Sequence, residues 1–256
     1  MSIRWHAISA LVVAATALCP PAWAGVRLEN VLPEATTSGP ALRSPALAAA
    51  VAPPQVAPIG SNPHRKSYSR WASEWWQWVL ETPASENPLL DTTGAKCKVG
   101  QRGYVWFLAG SVGTAHVSRR CEVPAGSALF FPLLNTLYAA VKGDPASTKT
   151  EAYCRAQVEY VINPGNTLAL QIDRKPIQGL RTLAERSVLF DAQLPADNIF
   201  GLVSADPSVR LLSPACDAGY FVFLSPLPPG RHTVRWVART ADGSFGQDII
   251  YHLDVK

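Results

Sequence analysis

Residues 228–256 read PPGRHTVRWVARTADGSFGQDIIYHLDVK, and their alternation decides the fold class. Side chains along an extended strand point to opposite faces in turn. Val234, Trp236 and Ala238 therefore share one face, and Thr233, Arg235 and Arg239 the other. In the next segment Ile249, Tyr251, Leu253 and Val255 oppose Ile250, His252 and Asp254. A turn centred on Asp242-Gly243 sets Trp236 against Ile249 and Val234 against Tyr251. Arg235 then faces Ile250, and Thr233 faces His252. A slip of one residue would turn the whole apolar set to solvent, so the pattern predicts one register.

Working outward, further short runs rich in β-formers are separated by Gly, Pro, Asp and Asn. They cover Tyr104 to Ala109, Ala128 to Leu133, Thr167 to Ile172, Ser187 to Asp191 and Tyr220 to Leu224. Two segments read differently. In SYSRWASEWWQWVLE, residues 67–81, Tyr68, Trp71, Ala72, Trp75, Trp76 and Val79 form a helical stripe that Thr82-Pro83 ends. Residues 150–162 predict a second helix, stopped by Asn163-Pro164-Gly165. The expected fold is a mainly β, antiparallel β-sandwich, jelly-roll or immunoglobulin-like, with one or two packed helices.

The other end of the chain bears on location. Arg4, an apolar run from Ala7 to Cys19, Pro20-Pro21 and the small-x-small Ala22-Trp23-Ala24 read as a cleavable secretory leader over 1–24. The run is shorter than the roughly 20 residues a permanent span needs. Leu18 before Cys19 argues against a lipoprotein signal. Residues 25–66, with Pro33, Pro40, Pro45, Pro53, Pro54, Pro58 and Pro63, read as a disordered Pro/Ala-rich tether. Residues 67–256 are expected to form a single domain, periplasmic or secreted, with no later transmembrane segment.

Four cysteines remain after cleavage, Cys97, Cys121, Cys154 and Cys216, and an even count in an oxidising compartment predicts two disulfides. Three pairings are open; Cys97–Cys121 with Cys154–Cys216 is preferred, because the first closes a loop around the strand beginning near Tyr104. No C-x-x-C pair occurs and no His lies at ligand spacing from a Cys, so no zinc site is expected. The formal charge is +4, with the basic residues scattered, which gives no footprint for nucleic acid.

The 228–256 hairpin resembles the closing strands of bacterial immunoglobulin-like modules, a likeness of fold and not of activity. SRWASEWWQWVLETP (69–83), NPLLDTTGAKCKVGQRGYVWFLAG (87–110), RRCEVPAGSALFFPLLN (119–135) and GYFVFLSPLPPGRHTVRW (219–236) resemble stretches of a family of secreted microbial proteins. That resemblance implies one integrated domain and supplies no catalytic residues.

Ala109-Gly110-Ser111-Val112-Gly113 follows a predicted strand and matches A-x-S-x-G, a variant of the nucleophile elbow. With Asp217 and His252 downstream it even offers the order Ser–Asp–His. An elbow requires a helix after the serine, and residues 114–121 carry no helical pattern, so a glycine-rich turn is the preferred reading. Asp91-Thr92-Thr93-Gly94 has one residue too many for the D-T-G of aspartic proteases. Glu74, Glu81, Asp173, Asp217 and Asp248 are candidates for a carboxylate pair. His64, His116, His232 and His252 show no metal-ligand spacing on a helix.

The dense tryptophans, Trp71, Trp75, Trp76, Trp78 and Trp106, predict a helix anchored on a sheet. An exposed stacking platform is the alternative, with Trp78, Trp76 and Trp106 its candidates and Trp78, at the stripe's edge, the foremost. The expected function is a non-catalytic binding or structural module recognising carbohydrate, wall polymer or a partner protein, without a cofactor. The competing reading is a secreted hydrolase using Ser111 or a carboxylate pair.

Overall fold

A computed structural model describes residues 54–256 except Thr114. The leader and most of the expected tether lie outside the described residues. The chain is mainly β, a two-sheet sandwich with a helix laid on one outer face.

The first sheet contains β1 (Val105–Phe107), β3 (Ala128–Ala139), β6 (Ala184–Arg186), β7 (Phe190–Gln193) and β8 (Leu211–Leu224). Its order is β1-β3-β8-β6, with β7 also pairing β8. The second contains β2 (His116–Val123), β4 (Thr167–Ile172), β5 (Lys175–Pro176), β9 (Gly230–Arg239) and β10 (Gly246–Val255), in the order β2-β10-β9-β4-β5. The sheets are mixed rather than purely antiparallel: β1 runs parallel to β3, and β2 parallel to β10. Local hairpin patterns reveal only antiparallel neighbours, so these long-range pairings had no local signature.

The β9–β10 hairpin has the register its side chains predict, with Trp236 opposite Ile249, Val234 opposite Tyr251, Arg235 opposite Ile250 and Thr233 opposite His252. Its apolar face is buried, from Val234 and Trp236 to Tyr251 and Leu253. Trp236 stacks between Phe131 and Tyr251, with ring centroids 5.0 and 5.9 Å away. This inner layer joins the two sheets.

The first sheet is buried on both faces, which explains why ALFFPLL and YFVFL are unbroken apolar runs. Leu129, Phe131, Val222 and Leu224 face the second sheet. Phe130, Phe221 and Phe223 face the helix α1 (Tyr68–Glu81). The Ser67 hydroxyl caps α1 by accepting from the Arg70 N–H at 3.3 Å. Tyr68, Trp71, Ala72, Trp75, Trp78 and Val79 are buried, a stripe at helical spacing. Trp75 also donates to the Leu108 carbonyl at 3.0 Å. The second helix, α2 (Glu151–Val158), is extended by a 3₁₀ turn to Val161.

Both disulfides have the preferred pairing, Cys97–Cys121 and Cys154–Cys216. The first ties the loop after α1 to β2, and the second ties α2 to β8.

Three expectations need correction. Residues 54–66, assigned to a disordered tether, are packed: Val56 bridges Leu224, Ala57 N–H donates to the Phe223 carbonyl at 2.9 Å, and the Tyr68 hydroxyl donates to the Ala57 carbonyl. Their prolines stand between the bonding residues, so the edge contact costs none of its donors. The strand expected at Ser187 to Asp191 falls mostly in a gap: residues 187–189 are irregular, between β6, which ends at Arg186, and β7, which begins at Phe190. Strand β8 begins nine residues before Tyr220, and Pro214 and Gly219 disguised its start. A Cβ on Gly219 would run into Asn135 and the Leu134 carbonyl, so only glycine lets β3 and β8 pair there.

Candidate functional site

The serine-centred reading does not assemble. Ser111 lies in the loop after β1, and its Oγ donates to the Gly113 carbonyl at 2.8 Å. No helix follows it; the chain enters β2. Asp217 is fully buried on the helix-facing side of the first sheet, accepting from Trp76 Nε1 at 2.9 Å and the Ser187 N–H at 3.2 Å. Burial pushes its carboxyl up to about 7, against the lowering effect of those donors. His252 is exposed on the outer face of the second sheet. The sandwich core therefore separates Asp217 from His252.

The other motifs resolve into structure. The Asp91 carboxylate accepts from the Thr93 N–H, the Thr93 hydroxyl and the Lys96 N–H at 2.7 to 3.0 Å, folding D-T-T-G into a loop. Burial works to raise its pKa, but these donors outweigh it and hold the carboxyl below its usual range. Asp173 engages His232 Nδ1 at 2.7 Å, and Asp248 engages His116 Nδ1 at 3.2 Å and Arg235 at 3.3 Å. Among the described residues no group of three or more His, Cys, Asp or Glu side chains is placed to hold a metal ion. No described helix is long and apolar enough to cross a membrane.

The tryptophan candidates separate. Trp78 is only 8% exposed, because the loop at Val99-Gly100 covers it and its Nε1 donates to the Val99 carbonyl at 2.8 Å. Trp106 is buried between the sheets. Trp76 is half-buried over Asp217. The three do not form one platform.

An aromatic groove nevertheless exists along the flank of α1, with a volume of about 750 Å³. Its exposed ring is Tyr104, 78% accessible, lifted at the tip of a turn by Gly103, whose φ is +70°. Half-buried Phe107 forms the floor, with ring centroids 6.2 Å from Trp71 and 5.5 Å from Trp78. Lys66 closes one end: its Nζ stands 4.4 Å over the Trp71 ring and bonds Glu74 at 2.7 Å. Gln77 lines the wall but is committed to the Asp191 carbonyl. Glu81, Arg102 and the Tyr104 hydroxyl line the groove without a side-chain partner among the described residues. The groove thus offers one free carboxylate, Glu81, and not the opposed pair that glycoside hydrolysis uses. Tyr104 was missed in the sequence as a binding residue because it reads as the first residue of a strand; Gly103 immediately before it was the available sign of a turn.

Comparison with family models returns no match. Comparison with curated proteins returns none either. Among solved structures, the chain overlaps PbICP-C, solved in complex with falcipain-2, at 11% identity and a TM-score of 0.25, covering 60% of this chain and 100% of that one. It also overlaps the cysteine protease inhibitor EhICP2 from Entamoeba histolytica, at 10% identity and a TM-score of 0.20, covering 55% of this chain and 87% of that one. At these scores the overlaps assign neither fold nor function to this chain.

Proposed function

We propose that the protein is an exported, non-catalytic binding module whose groove beside α1 holds a neutral carbohydrate segment of the cell envelope. One observation carries this reading: a Tyr104 side chain left 78% exposed lines the same groove as Phe107, Trp71 and Trp78, with Glu81 and Arg102 free of side-chain partners there. Sugars present an apolar C–H face that stacks on such a ring, and hydroxyls that unpaired carboxylate and guanidinium groups can bond. The leader and the two disulfides support a periplasmic or secreted location, where such bridges persist.

Calorimetry against a panel of neutral wall and storage glycans tests the reading. Binding is expected to weaken about tenfold in Tyr104→Ala, the loss of one aromatic stack, with thermal unfolding unchanged. No binding across the panel, or binding indifferent to Tyr104→Ala, refutes it.

A further inference from the structure

The outer face of the second sheet, remote from the α1 groove, carries an open cleft of about 780 Å³ whose walls are rich in arginine. Register places its residues. Arg120 on β2 pairs with His252 on β10, which pairs with Thr233 on β9. Arg231 is two residues from Thr233 on the same face, and Arg174 projects from the β4–β5 turn, where Asp173 and Arg174 both adopt left-handed backbone with φ of 50° and 65°. Adjacent strands lie about 4.8 Å apart and alternate residues about 7 Å apart, so these groups converge on one ligand-sized area.

The carboxylates of the cleft are already taken. Glu122 is held by Lys98 and Lys256, each at 2.7 Å. Asp254 is held by Lys256 at 3.1 Å. Asp173 accepts from the Thr233 N–H at 2.8 Å and pairs with His232 Nδ1 at 2.7 Å. By contrast, Arg120, Arg174 and Arg231 are exposed, and their guanidinium groups bond no described residue. Each carboxylate already has partners in the protein, while three planar forks stay open.

We propose that this cleft is a second binding site, selective for an oxyanion-bearing ligand, either the carboxylates of an acidic glycan or phosphate. An arginine fork can bond two oxygens of either group at once. The Thr233 hydroxyl and the His252 ring add donors between them. The site is independent of the Tyr104 groove, so either can fail without the other.

The test titrates the full mature protein with polygalacturonate, with inorganic phosphate, and with neutral dextran. Binding of either anion, weakened by salt and absent for dextran, is expected; which anion binds identifies the source. The double variant Arg120→Gln/Arg231→Gln is expected to bind about tenfold more weakly, at under 1 kcal/mol for each exposed charge pair. Arg239→Gln, about 27 Å from Arg231 along β9 on the same face, is the control matched in charge to the single variant Arg231→Gln and is expected to bind as the parent does, while Arg231→Gln alone weakens binding. The proposal is overturned if neither anion binds better than dextran, or if Arg239→Gln weakens binding as much as Arg231→Gln.

Discussion

Removing the two disulfides separately should cost unequal amounts of stability, in an order set by chain length. Cys97 and Cys121 are 24 residues apart, and Cys154 and Cys216 are 62 apart. The two loops neither nest nor overlap, so each bond restricts the unfolded chain independently. Loop-closure entropy then gives about 3.4 kcal/mol for the shorter bridge and about 4.3 kcal/mol for the longer. Packing adds in the same direction. Cys154 and Cys216 are wholly buried, whereas Cys97 and Cys121 keep 6% and 4% exposure, so paired alanines leave the tighter void at the longer bridge. The assay is equilibrium urea unfolding of Cys97→Ala/Cys121→Ala and of Cys154→Ala/Cys216→Ala beside the parent. A larger loss for the shorter bridge would show that loop length does not set the order. It would mean that anchoring the 87–100 loop to β2, rather than restricting the unfolded chain, is what that bond contributes.

Asp217 predicts a pH dependence. Its folded carboxyl titrates at about 7 because of burial, above the ordinary 3.8 of the unfolded chain. The folded state therefore keeps a proton that the unfolded state releases, and this group's contribution is lost as pH rises from about 4 to about 7. Urea midpoints of the parent should fall across that window more steeply than those of Asp217→Asn; parallel profiles would show that Asp217 titrates normally. Gly94→Ala should lose at least about 1–3 kcal/mol from backbone strain alone. Gly94 has a φ of +93°, and an added Cβ would overlap the Arg120 carbonyl. Urea unfolding that leaves the midpoint unmoved would contradict this.

The closing hairpin was legible in the sequence because its turn length and both apolar faces point to one register. Helix α1 was legible for the same reason: its apolar stripe and the Thr82-Pro83 stop agree. Strand β2 was not, although its exposure alternates at every residue from His116 to Val123. Arg119 occupies an inward position and breaks the apolar pattern. Its burial is possible only because the Asp91, Ala109 and Gly110 carbonyls and the Tyr251 hydroxyl surround the guanidinium, at 2.6 to 3.0 Å. Those acceptors come from other parts of the chain, so no local pattern announces them.

The candidate site shows the same division. Density of tryptophan correctly marked the neighbourhood of α1 as aromatic. A helical wheel placed Trp78 at the stripe's edge, but it could not show that Val99-Gly100 folds over it. Exposure of Tyr104 likewise depends on the Gly103 turn and on β1 being only three residues long. Pro-rich composition misled for residues 54–66, since a few well-placed backbone donors are enough to hold an irregular segment on a sheet edge.

The most direct test of the α1 groove is a nitrogen–proton NMR titration of the protein with the tightest-binding neutral oligosaccharide. The indole N–H groups are built-in reporters. Those of Trp71 and Trp78 belong to rings bordering the groove, while those of Trp106 and Trp236 lie between the sheets. Saturable shifts of the Trp71 and Trp78 indoles and the Tyr104 amide are expected, with the Trp106 and Trp236 indoles unmoved. Shifts confined to other surfaces, or a bound sugar that leaves all three groove signals in place, would contradict it.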